Sequence, residues 1–146
     1  MAVRRLPVKL RRQDAMRVSR VALDNEKLVY VIVADKKLKY RHGRSKIAYI
    51  GTTKNGVSRL AQSAASRTDA ILRRRGVQSF TVHVVTCRPR QRVKTWRKLE
   101  RAFLLAFREL YGEVPACNVH GKRMTVRGEF VYFSKVRIEN VIGDLS

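Results

Sequence analysis

Leu28-Val29-Tyr30-Val31-Ile32-Val33 and Ile47-Ala48-Tyr49-Ile50-Gly51 decide how this chain is read. Both runs are short and rich in β-branched and aromatic residues, which predicts two buried strands. Between them, Asp35 to Ser45 contains Lys36, Lys37, Lys39, Arg41 and Arg44 together with Gly43. That composition is expected of a long, solvent-facing hairpin connection. Its cations suit contact with phosphates, and a merely solvated loop is the plainer alternative.

Toward the C-terminus, Asn55 is placed to cap a helix in which Val57, Leu60, Ala61 and Ala64 recur at helical spacing. Arg59 and Ser63 then project together from the other side, toward solvent or a cleft. The basic segment from Arg67 ends in Arg73-Arg74-Arg75-Gly76, and Phe80-Thr81-Val82-His83-Val84-Val85 reads as a third strand. Beyond Pro89, the residues Trp96, Leu99, Phe103, Phe107 and Leu110 fall within an arc of roughly 80° on a helical projection. Gly112 and Pro115 end that helix. A basic loop from Asn118 to Arg127 carries Lys122 and Arg123, which with Lys46, Lys54, Arg73, Arg74 and Arg75 join the cations expected to contact nucleic acid. Glu129-Phe130-Val131-Tyr132-Phe133 reads as a strand, and Ile138, Val141, Ile142 and Leu145 as a closing helix.

The expected fold is therefore α+β, an α/β sandwich with a small, mainly antiparallel three-stranded sheet flanked by helices. Residues 1–20 form a basic arm, 21–120 the main domain, and 121–146 a strand-helix extension packed on it. At 146 residues the chain suits one core.

Charge narrows the function. Lysine and arginine number 33 against 11 acidic residues, a formal net charge of +22. A small soluble domain needs a magnitude of only about 2–8. The excess favours a polyanionic partner, because each neutralised phosphate releases condensed counterions. No run approaches the roughly 20 apolar residues of a membrane-spanning helix. Cys87 and Cys117 lie far apart and outside any Cys-x-x-Cys spacing, which argues against a disulfide framework or a zinc site. They read as buried or half-buried thiols, and His83 as a structural histidine. The N-terminal residues have the charge of an organelle transit peptide but not its serine content, so a cytoplasmic protein with a basic arm is the expectation.

Glu100 stands out on physical grounds. It projects into the apolar arc, between the directions of Leu99 and Phe107, where a carboxylate is costly unless it is paired or holds a metal. An arginine partner is one solution. A divalent cation is the other, since Mg²⁺ can use one protein carboxylate plus water and phosphate oxygens.

Tyr30, Tyr49-Ile50-Gly51, Arg59, Glu100 and Asn118 together resemble the GIY-YIG nuclease superfamily in order and spacing. That resemblance spans Leu28 to Asn118 and implies metal-dependent DNA endonuclease activity, leaving 5′-phosphate and 3′-hydroxyl ends, with Mg²⁺ or Mn²⁺ as cofactor. It implies Tyr30 as general base or orienter of the attacking water, and Tyr49 and Arg59 as contacts to the scissile phosphate. Glu100 would hold the metal and Asn118 would support the site. DNA is the implied partner, RNA remains open, and a bacterial or phage setting is implied. Leu28 and Val29 replace the Gly-Ile of the first motif, and the interval to Tyr49 is longer than usual. Ser63 stands where many members place a histidine. Thr52 follows the second motif in place of a lysine, for which Lys46 or Lys54 could substitute. The other readings are a noncatalytic nucleic-acid-binding protein, on the same fold or of ribosomal type, and a restrained toxin with the same chemistry.

Overall fold

The computed structural model describes residues 4–23 and 25–146. Residues 4–19 have no helix or strand and are exposed. Order begins at a short 3-10 turn, Arg20–Leu23, whose Ala22 is buried. Three strands follow, β1 (Leu28–Tyr40), β2 (Gly43–Thr53) and β3 (Phe80–Val85), with helices α1 (Gly56–Ser66) and α2 (Thr68–Leu72) between β2 and β3. Helix α3 (Thr95–Tyr111) comes next, and α4 (Glu129–Tyr132) and α5 (Lys135–Leu145) end the chain. The sheet is wholly antiparallel in the order β2-β1-β3. The fold is thus the α+β arrangement expected, with five helices of which α1, α3 and α5 are substantial.

Central β1 is apolar on both sides, and Leu28 to Ala34 are all buried. A strand that lies between two neighbours and under helices reads as a continuous apolar run rather than an alternation. Helices α1 and α3 both pack on β1 and β2, and α5 packs on α3 and β2.

The long loop expected between the tyrosine strands is replaced by strand. Asp35, Lys36 and Lys37 lie at an irregularity in the β1–β2 ladder, after which pairing resumes at Leu38↔Ser45 and continues to Tyr40↔Gly43. Only Arg41 and His42 form the turn. The reason is a period-2 pattern among the lysines, with Leu38 and Tyr40 buried and Lys39 exposed. Tyr40 packs edge-on against Phe107 with ring centroids 5.1 Å apart. Its hydroxyl donates to the Ile47 carbonyl and accepts the Ala116 N–H. Burial, partly offset by the Ala116 N–H, pushes this phenol up to about 12, so it stays protonated and donating.

Helix α3 is buried more widely than a single stripe. Leu99, Phe103 and Phe107 are joined in the core by Ala102, Leu104, Leu105 and Ala106, whereas Leu110 is 39% exposed. Gly112 at φ 80° ends the helix in the left-handed conformation that glycine adopts most readily.

The segment expected as a C-terminal strand is instead the single helical turn α4. Gly128 enters it at φ 80°, and the side chains do not alternate, since Val131 is 87% exposed and Glu129 is fully buried. Glu129 is the reason. Its carboxylate accepts the Arg101 Nε–H at 2.7 Å and the Arg127 backbone N–H at 2.6 Å. Burial pushes the carboxyl up, but these donors outweigh it and hold it below the usual range. Arg101 also donates to the Thr125 carbonyl at 2.7 Å, and Arg108 reaches the carbonyls of Gly121, Lys122 and Met124. Two arginines seven residues apart on α3 thereby fasten residues 121–129 to the domain.

Replacing Glu129 with Ala should cost about 3 kcal/mol at neutral pH, because it leaves Arg101 without its buried partner. Because folding depresses this carboxyl, its contribution is complete above an unfolded pKa of about 4.3 and is lost as pH falls through the folded value. Urea unfolding of wild type and variant from pH 7 to pH 3 should show the gap closing at the acid end.

Candidate active site

Pairing of β1 with β2 places Tyr30 opposite Gly51 and Ile32 opposite Tyr49. Facing residues of an antiparallel pair project to the same side. The two tyrosines are therefore diagonal neighbours, with ring centroids 5.8 Å apart. Gly51 makes the approach possible. A Cβ there would lie 2.6 Å from Cζ and Oη of Tyr30 and 2.6 Å from Cε1 of Tyr49. No side chain fits between the rings.

Helix α1 supplies the other wall. The Tyr30 hydroxyl is hydrogen-bonded to Ser63 Oγ. Arg67, directly after α1, donates from Nη1 to Ser63 Oγ at 2.7 Å and to the Ser63 carbonyl at 3.1 Å. Its Nη2 donates to the Tyr49 hydroxyl at 2.7 Å, and the guanidinium lies 3.8 Å from the Tyr49 ring centroid. One arginine thus ties both tyrosines together, directly at Tyr49 and through Ser63 at Tyr30. Burial pushes the Tyr49 phenol up to about 12, reinforced by Tyr30 and opposed by Arg67. A phenol so raised keeps its proton at neutral pH and can donate a hydrogen bond.

Arg59, the arginine expected here, is one turn before Ser63 but exposed, and its Nη1 bonds to Gln62 Oε1 at 2.9 Å. Arg67 is the residue that reading the sequence missed. The signal was present, because Arg59, Ser63 and Arg67 recur every four residues along one helical face. Asn55 does precede α1, but its side chain makes no capping hydrogen bond.

Glu100 is half-buried on α3, and burial pushes its carboxyl up to about 7 even though Arg97 and Arg101 pull the other way. The ion pairs within 4 Å among the described residues are Arg17–Asp14, Arg73–Asp69, Arg101–Glu129 and Lys135–Glu109. Glu100 belongs to none of them, and Arg101 is committed to Glu129. The arginine partner considered for Glu100 is therefore not what stabilises it. Its charge is felt at Tyr49, where it raises the phenol further. A desolvated carboxylate without an ion-pair partner fits a hard divalent cation that completes its shell with water and phosphate oxygens. Three or more His, Cys, Asp or Glu side chains do not cluster anywhere among the described residues.

Asn118 sits behind the tyrosines. Its Oδ1 accepts the Ile50 N–H at 3.0 Å and its Nδ2 donates to the Ile50 carbonyl at 2.8 Å, while the Cys117 N–H bonds to the Ala48 carbonyl. The side-chain amide thus extends the ladder at the free edge of β2 and steadies the segment that carries Tyr49 and Gly51.

The expected nucleic-acid contacts are dispersed. Lys36, Lys37, Lys39, Arg41, Arg44, Lys54, Arg73, Arg74, Arg75, Lys122 and Arg123 are exposed, and Lys46 is half-buried. Arg74 reaches the Ala116 carbonyl at 3.5 Å. His83 is exposed on β3, 3.0 Å from Thr81 Oγ1, and both cysteines are half-buried. Among the described residues no helix is long and apolar enough to cross a membrane.

Comparison with protein-family models, with curated proteins and with solved structures found no match.

Gly51→Ala should destabilise the protein by roughly 1–3 kcal/mol, the usual cost of overfilling a packed site. The added methyl should also separate the rings. Thermal unfolding reads the first effect, and the ring resonances of Tyr30 and Tyr49 in an NMR spectrum read the second. An unchanged spectrum would contradict the packing described.

Proposed function

We propose that this chain is a metal-dependent DNA endonuclease of the GIY-YIG type, cutting phosphodiesters to 5′-phosphate and 3′-hydroxyl ends. The observation that carries the reading is the meeting of the Tyr30 and Tyr49 hydroxyls with Ser63 and Arg67 around Gly51, within electrostatic reach of Glu100. This constellation has the parts that phosphodiester hydrolysis asks of a protein. The protonated Tyr49 hydroxyl donates to a nonbridging phosphate oxygen. Arg67, always charged and already aimed at that hydroxyl, stabilises the negative charge that grows on the phosphate as water attacks. Tyr30, held by Ser63, orients the water for in-line attack. Arg59, exposed one turn earlier on the same helix face, contacts a flanking phosphate.

Glu100 would hold Mg²⁺ or Mn²⁺, and a cation bound there would neutralise a nonbridging oxygen and the leaving alkoxide. The basic arm and the exposed lysines and arginines bring the duplex to this site by counterion release. Charge of this kind positions phosphates without reading bases.

A noncatalytic nucleic-acid-binding protein is the second reading, and one observation favours it. Ser63, which can hydrogen-bond but is a poor base, is the residue that bonds the Tyr30 hydroxyl.

Incubation with supercoiled, branched and single-stranded DNA in Mg²⁺ or EDTA separates the two. Wild type should cut only with the metal, and Glu100→Gln should lose at least about 100-fold in rate while keeping its salt-sensitive binding. Binding without cleavage by the wild type on all substrates and with both Mg²⁺ and Mn²⁺ would reject the endonuclease.

A further inference from the structure

A cavity of about 380 Å³ opens beside Asn118. Its walls are the β1–β2 turn at Arg41, the end of α3 at Arg108, the segment 112–116, Asn118, and Lys122 on the basic loop. Its volume lies within the range of small-ligand sites, about 300–1,000 Å³. The walls are firmly built. The His42 N–H bonds to the Tyr111 carbonyl at 3.0 Å, and a Cβ on Gly112 would lie 2.9 Å from His42 Nδ1. The turn is therefore pressed directly onto the end of α3.

Electrostatics identify the occupant. Arg41, Arg108 and Lys122 face the space, and none belongs to an ion pair among the described residues. Arg108 is half-buried and bonded only to carbonyls, at 3.0 Å to Gly121, 3.2 Å to Lys122 and 2.6 Å to Met124. These engage both Nη groups but leave its charge uncompensated. The one acid in the lining, Glu113, has its carboxylate on the Arg41 backbone N–H at 2.9 Å. The partial negative charge at the α3 C-terminus works against an anion, but it amounts to about half a charge and Arg108 sits in that last turn. Three cations against one carboxylate and a helix end leave a net positive cavity.

We propose that this cavity is a second phosphate site, taking a phosphate group of the same nucleic-acid strand that lies at the tyrosines, displaced along it. Asn118 joins the two places. Its side chain lines the cavity and grips the backbone of Ile50, the residue between Tyr49 and Gly51. A phosphate seated there sets the register of the strand across β2 and steadies the segment carrying Tyr49. The inference rests on the nucleic-acid reading, but the anion site has its own readout.

Thermal unfolding is followed with inorganic phosphate against chloride at matched ionic strength. Three proteins are compared: wild type, Arg41→Ala/Lys122→Ala, and the charge-matched control Arg88→Ala/Arg137→Ala, two exposed side chains outside the expected contact set. Wild type and control should gain several degrees from phosphate, and the cavity variant should lose most of that gain. On a short oligonucleotide the cavity variant should bind with a salt slope lower by about 1, the loss of one phosphate contact, with the control again compared. The single substitution Lys122→Glu, on an exposed side chain, should abolish the phosphate response without lowering the melting temperature in chloride. Equal phosphate responses in the cavity and control variants would overturn the site, whatever the cleavage assay shows. A phosphate response confined to the cavity in a protein that never cuts would uphold the site and reject only the endonuclease.

Discussion

Everything proposed for this protein depends on one close approach, the rings of Tyr30 and Tyr49 closing over Gly51. The β1–β2 register sets Tyr30 opposite Gly51. A slip of one residue would put the two hydroxyls on opposite faces of the sheet. Glycine is required because the rings occupy the space a Cβ would take. Once the rings are set, their hydroxyls converge on helix α1, where Ser63 and Arg67 lie one turn apart and meet them. The geometry of the proposed site is a consequence of strand register, enforced by the buried apolar run of β1.

Two further constraints keep that register. Asn118 hydrogen-bonds both backbone groups of Ile50, which protects the free edge of β2 at the point where Tyr49 and Gly51 are carried. Arg101 and Arg108 on α3 fasten the C-terminal segment through Glu129 and four backbone carbonyls. Basic residues in this chain thus do two kinds of work. A few are internal fasteners, and most are exposed. By claiming Arg101, Glu129 also leaves Glu100 without an ion-pair partner.

Much of this arrangement was legible before any coordinates. The apolar runs marked parts of all three strands, helical spacing marked α1, α3 and α5, and the odd placement of Glu100 within an apolar arc marked the carboxylate. What escaped was context. Leu38 and Tyr40 alternate correctly for a strand but are embedded among lysines, so composition outweighed period and a strand pair was read as a loop. Glu129 to Phe133 has strand-forming residues, yet burial of one carboxylate against Arg101 and a left-handed Gly128 make it a helical turn. Arg59 fitted the spacing of a known motif, and Arg67, on the same four-residue repeat one turn past Ser63, is the guanidinium that touches Tyr49 directly.

The most direct test of this account compares single-turnover DNA cleavage in Mg²⁺ by wild type, Arg67→Ala and Arg59→Ala. Arg67→Ala should lower the rate at saturating protein by about 100-fold or more, the usual loss when a group stabilising transition-state charge is removed. Arg59→Ala should act chiefly on the concentration needed for half-maximal rate, as expected of a contact made equally in the ground and transition states. A saturating rate that depends on Arg59 and is indifferent to Arg67, or a wild-type protein that does not cut, would contradict the account.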